Sequence, residues 1–158
     1  LGIDTGPRPG LAWLADGVLI DTIQTESIDE CLARIDALLQ HQSFQHLLIR
    51  LGNGSPSHRD RLVNSLLAKG HCVELVKENK TSRGLNRQQH GVAAVRIATL
   101  SGHKVWEMKE INPSDGELRD IQRMSRKKSN GRVTIPTDLA RKVARGEVTI
   151  EQAIEEII

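Results

Sequence analysis

An aspartate closes the first short apolar run of this 158-residue chain, where Leu1-Gly2-Ile3-Asp4 meets Thr5-Gly6-Pro7-Arg8-Pro9-Gly10. A carboxylate fixed at a strand end beside a glycine-rich turn lies near backbone N–H groups and suits a metal or a phosphate. An Asp that only caps a hairpin turn is the plainer alternative. A second acid, Glu78, lies just past the apolar run Cys72-Val73-Glu74-Leu75-Val76. Ligands of open α/β sheets gather at the carboxyl ends of strands. Asp4 and Glu78 would therefore converge if the strands they follow are parallel neighbours. Lys77, Lys80, Arg83 and Arg87 put four positive charges around Glu78, as contacts to phosphate require.

The elements that must position these residues follow from spacing. Leu1–Asp4, Leu11–Ala15 and Val18–Ile23 have strand length and are separated by tight-turn residues, Asp16-Gly17 among them. Ser27 can cap a helix in which Ile28, Cys31, Leu32, Ile35, Leu38 and Leu39 recur at helical spacing. His46–Leu51 reads as a strand ending in the turn-rich Gly52-Asn53-Gly54-Ser55-Pro56. Ser57 is the expected cap of a helix to Lys69, stopped by Gly70. After the strand Cys72–Val76 and the polar stretch 77–89, His90–Leu100 reads as a helix with small residues Ala93, Ala94 and Ala98. The order β-β-β-α-β-α-β-α predicts an α/β fold, a mixed five-stranded sheet with three antiparallel hairpin strands, then parallel strands, and helices on both faces.

The pattern predicts one sheet domain over residues 1–112 and a helical C-terminal extension over 113–158. Helices are expected at 115–128, 136–144 and 149–157, with Thr149 and Gln152 forming a capping box. Aromatics are scarce (Trp13, Phe44, Trp106), so the core must be Leu, Ile, Val and Ala, and base-stacking platforms are not expected. Cys31 and Cys72 lack metal-ligand spacing and point to a reducing, cytoplasmic setting. No apolar run approaches the length of a membrane span.

The net charge of +2 hides an asymmetry. Residues 77–132 carry 13 Lys and Arg against 6 Asp and Glu, whereas residues 1–76 carry 6 against 9. Such a local basic field suits a polyanion. Arg119, Arg123, Arg126, Lys127, Lys128 and Arg132 extend it as a candidate phosphate track, the alternative being a solvated helix surface.

Three segments, in order, resemble the RNase H-like superfamily, most nearly its RuvC-type resolvase and YqgF-type (pre-16S rRNA nuclease) branch in an archaeal-style form. Leu1-Gly2-Ile3-Asp4-Thr5-Gly6 is similar to that family's first-strand motif. Val73-Glu74-Leu75-Val76-Lys77-Glu78-Asn79-Lys80-Thr81-Ser82 is similar to its apolar strand followed by acidic and hydroxyl residues. His90-Gly91-Val92-Ala93-Ala94-Val95-Arg96-Ile97-Ala98 is similar to its last helix. The resemblance covers residues 1–102 and implies a divalent-metal-dependent nuclease. Asp4, Glu78 and His90 would be catalytic and metal-binding, Asp4 bridging two Mg²⁺ or Mn²⁺ ions and Glu78 holding one. His90 would be a ligand or a proton relay, and Thr81 and Ser82 would contact the nucleic acid. Two divalent metals about 4 Å apart can activate water and stabilise the leaving oxygen of a phosphodiester. Without the motif, a helix-face histidine hydrogen-bonded to a neighbour is the plainer reading of His90.

Lys77 and Arg87 depart from the pattern by standing at usually acidic positions. Arg50 stands where RuvC-type resolvases can carry Glu, and the YqgF branch lacks an acid there too. The implied substrate is structured RNA or branched DNA. A non-catalytic nucleic-acid-binding module with a degenerate site is the alternative function. A nucleotide-dependent kinase-type fold is a weaker one, because the chain is short for two lobes. The tail helices could pair two copies as a homodimer or clamp substrate.

Overall fold

The computed structural model describes residues 1–77 and 90–158, His90 by its backbone alone. It divides into two compact units, 1–109 and 110–158. In the first, β1 (Gly2–Asp4), β2 (Gly10–Ala15), β3 (Val18–Gln24), β4 (Leu48–Gly52), β5 (Cys72–Val76) and β6 (His103–Val105) form a mixed sheet in the order β3-β2-β1-β4-β5-β6. Helices α1 (Ile28–His41), α2 (Pro56–Ala68) and α3 (His90–Thr99) complete this unit among the described residues. None of the described helices is long and apolar enough to cross a membrane.

The antiparallel half is set by local chemistry. Asp16 (φ 49°) and Gly17 (φ 80°) form the two-residue turn between β2 and β3; both central residues have the positive φ that matches the twist of a hairpin. β1 pairs antiparallel with β2 and parallel with β4, and β4 pairs parallel with β5. One expectation needs correction here, and one condition is not met. The sheet has six strands rather than five, because His103–Val105 adds an antiparallel edge to β5. The strands β1 and β5 are parallel but not neighbours: β4 lies between them.

Residues of alternating parity leave a strand on opposite faces, and the sheet obeys this. Leu1, Ile3, Ile49, Leu51 and Val73 are buried with Ile28, Cys31 and Ile35 of α1 and Leu62, Val63 and Leu66 of α2. Gly2, between Leu1 and Ile3, faces α3. A Cβ on Gly2 would fall 2.1 Å from the Ala94 carbonyl oxygen and 2.7 Å from the Ala98 Cβ. The small residues of α3 thus let its backbone lie directly on β1.

The start of α1 follows its expected capping chemistry; that of α2 needs a correction. Ser27 caps α1 by accepting from the Glu30 N–H at 3.0 Å. Helix α2 begins earlier than expected, with Ser55 as N-cap and Pro56 as its first residue. Proline is suited to that position because the first N–H of a helix has no partner there. Ser57 is therefore inside the helix.

The second unit contains α4 (Asp115–Lys128), α5 (Thr137–Ala144) and α6 (Ile150–Ile157). Ser114 with Glu117 and Thr149 with Gln152 form capping boxes for α4 and α6. Leu118, Val133, Ile135, Leu139, Ala140, Ile150, Ala153 and Ile154 form its own core. The buried Ser125 hydroxyl donates to the Gln122 carbonyl and accepts from the Ile135 N–H, tying the α4–α5 connection to α4.

Candidate functional site

Asp4 is the last residue of β1 and is half-buried. The registers Gly2↔Arg50, Ile3↔Leu51 and Gly52↔Val76 put Asp4 level with Gly52 and Val76 at the carboxyl ends of the three parallel strands. By alternation, Asp4 lies on the same sheet face as Gly2, the face that α3 covers. Two strand spacings separate β1 from β5, so Asp4 and Val76 are about 10 Å apart.

The turn that carries Asp4 is fixed on both sides. The Thr5 hydroxyl lies 3.2 Å from the Gly52 carbonyl oxygen and 3.0 Å from that of Gly54, joining the turn to the β4–α2 loop. On the other side the Pro9 carbonyl accepts from the Thr25 N–H at 3.0 Å and from the buried Thr25 hydroxyl at 2.6 Å. Arg59 braces the β4–α2 loop by donating to the Asn53 side-chain oxygen at 2.8 Å and its carbonyl at 3.1 Å. Backbone groups held at both flanks cost little further ordering when a ligand arrives. Asp4 supplies hard oxygen donors, the type that Mg²⁺ and Mn²⁺ take.

The other expected site residues fall into three groups. Glu78, Lys80, Thr81, Ser82, Arg83 and Arg87 lie outside the described residues. His90 opens α3, and the next residue, Gly91, lies against Thr22 of β3. Lys77 is exposed directly after β5. In the second unit Arg123, Arg126, Lys127 and Lys128 are all exposed on the last turns of α4. Two of them are engaged: Arg123 pairs with Asp120 at 3.2 Å, and Lys128 pairs with Glu151. The Lys128 side chain holds the Glu151 carboxyl below the usual range. Among the described residues, no group of three His, Cys, Asp or Glu could hold a metal ion.

Arg50 has a role that sequence reasoning missed. Its Nε donates to Glu74 Oε1 at 3.1 Å and its Nη1 to the Ala98 carbonyl at 2.7 Å. It therefore ties β4 to β5 and to the last turn of α3. The Glu74 at the same register on the next strand was the available signal. A hollow of about 450 Å³ lies at the opposite, amino ends of the parallel strands, lined by Leu1, Leu14, His46, Leu48, Arg50 and Ala98 among others. None of the residues expected to be catalytic lines it.

Residues 114–157 match a family described as a three helical bundle domain. The matched segment lies within the second unit, and its three helices and shared core fit that description. Comparison with curated proteins and with solved structures returned no match.

Proposed function

We propose that the chain is a divalent-metal-dependent endonuclease of the RNase H-like type, acting on structured RNA or branched DNA. The observation that carries this reading is the position of Asp4. It ends the central strand β1, on the face covered by α3, in a sheet of three antiparallel strands followed by parallel β4 and β5. That arrangement supports the resemblance carried by Gly2-Ile3-Asp4-Thr5-Gly6.

In this reading Asp4 would be the central ligand of the metals, and Glu78, two residues after Val76 in sequence, would supply a second carboxylate. His90 serves as the third group. Bound Mg²⁺ or Mn²⁺ would activate water and neutralise charge on the leaving oxygen. The chain's own contribution is to hold Asp4 on a turn anchored by Thr5 and Pro9. Lys77, Lys80, Arg83 and Arg87 would supply positive charge for phosphates, and Thr81 and Ser82 polar contacts. Arg123, Arg126, Lys127 and Lys128 supply a second basic surface, on the three-helix unit.

Lys77 favours a second reading. Its exposed ammonium directly after β5 stands where the resembled family usually carries an acid, and a nucleic-acid-binding module without catalysis would keep that cation. The discriminating experiment compares native chain and Asp4→Asn on junction DNA and hairpin RNA with Mn²⁺. Cleavage by the native chain alone supports the nuclease; equal, metal-independent binding without cleavage supports the module.

A further inference from the structure

Trp106 is the most exposed tryptophan position in the chain, 75% exposed, whereas Trp13 packs against the core. An indole in water costs hydrophobic free energy that burial would recover. This one is also held in place. The strand β6 ends at Val105, which pairs with Val73 of β5 and packs against the core. Four residues on, the Lys109 N–H donates to the Asn64 side-chain oxygen at 2.9 Å, and the Asn64 amide donates to the Lys109 carbonyl at 2.7 Å. The arch 106–108 is thus pinned at both ends, and it presents Trp106 and Met108 to solvent.

One side of the indole is marked by a cation. Lys104 Nζ stands 4.1 Å from the ring centroid, a geometry in which the ammonium is attracted to the π face. A flat, pre-positioned aromatic with an adjacent ammonium matches an unpaired nucleotide: the ring stacks on the base and the cation neutralises the phosphate. Against the expectation, drawn from the scarcity of aromatics, that the chain lacks a stacking platform, we infer that Trp106 and Lys104 form a stacking site for an unpaired nucleotide of a nucleic acid. This inference rests on the nucleic-acid reading above and deepens it: the substrate must carry a single-stranded segment.

The sheet geometry gives that segment a length. The register Val73↔Val105 puts Trp106 level with Cys72 on the edge beyond β5, at the opposite end of the strands from Asp4. Three strand spacings across and four residues along place it about 20 Å from Asp4. At about 3.4 Å per nucleotide of stacked strand, that is about six nucleotides.

The test uses the full chain and a dye-labelled 16-mer of thymidines or unstructured RNA. Trp13→Phe leaves Trp106 as the sole tryptophan reporter. The expected result is quenching of Trp106 emission at the same oligonucleotide concentration that raises the anisotropy of the dye. Trp106→Ala should weaken binding about tenfold without lowering Tm, and Trp106→Phe should recover most of it. If the 16-mer binds by anisotropy while Trp106 emission stays unchanged and Trp106→Ala binds as tightly as native, the stacking site is overturned and the nuclease reading stands. No binding of single-stranded, junction or hairpin nucleic acid at all overturns both.

Discussion

Arg50 and Glu74 meet across β4 and β5, Nε to Oε1 at 3.1 Å, with both side chains about three-quarters or more buried. The same guanidinium donates to the Ala98 carbonyl. Removing one partner of such a pair leaves the other desolvated without compensation. Arg50→Ala should cost about 1–3 kcal/mol, read as a lower urea midpoint. Arg50→Glu, which installs the acid that RuvC-type resolvases can carry there, should cost more, because it faces Glu74. Equal stability of Arg50→Glu and native would contradict the clamp.

Gly2 should tolerate no side chain. The 2.1 Å approach of a Cβ to the Ala94 carbonyl means that α3 must move off the sheet to admit even a methyl group. Gly2→Ala should therefore destabilise by about 1–3 kcal/mol or more, as overpacking does. Ala94→Gly would not relieve it, since the clash is with backbone. An unchanged Tm for Gly2→Ala would show that α3 does not lie on β1.

The two cysteines should differ sharply in reactivity. Burial pushes the Cys31 thiol up to about 12, and its side chain is fully enclosed. The thiolate is the nucleophile, so Cys31 should resist alkylation at pH 8 until the chain unfolds. Cys72 is only partly buried and should label first. Peptide mapping after iodoacetamide treatment reads the order; early labelling of Cys31 would contradict the packing of α1 on the sheet.

Much of the local structure was legible because it rests on short-range chemistry. Asp16-Gly17 announced a hairpin, Ser27 a helix cap, and Thr149 with Gln152 a capping box, and all three stand in the structure. Long-range pairing was not legible. Nothing in β1 or β5 states that β4 separates them, and three residues of β6 carry too little alternation to mark a strand. The Ser55 cap was missed because two serines flank Pro56, and only the proline's fit to the first helical position decides between them. The role of Arg50 depends on Glu74 and on the Ala98 carbonyl, which come from two other elements. At the candidate site, the turn around Asp4 could be anticipated from Gly6, Pro7 and Pro9. The bonds from Thr5 and Thr25 that fix it join segments far apart in sequence.

Nucleic-acid binding should depend steeply on salt. If the basic residues of the chain neutralise about four to six phosphates, log K should fall with log salt at a slope of roughly −3 to −5. Arg126→Ala with Lys127→Ala, both exposed on α4, should flatten the slope by about one to two and leave Tm unchanged. A flat salt response of the native chain would contradict the phosphate contacts.

Cleavage of junction DNA and hairpin RNA by native chain and Asp4→Asn, with Mg²⁺ or Mn²⁺ present, tests the central claim most directly. Asp4 is half-buried on an anchored turn, so the isosteric amide should keep the fold while removing the charge proposed to hold the metals. The expected result is metal-dependent cleavage by the native chain, reduced at least about a hundredfold in Asp4→Asn with nucleic-acid binding retained. Undiminished cleavage by Asp4→Asn, or no cleavage by the native chain on any of these substrates, would contradict it.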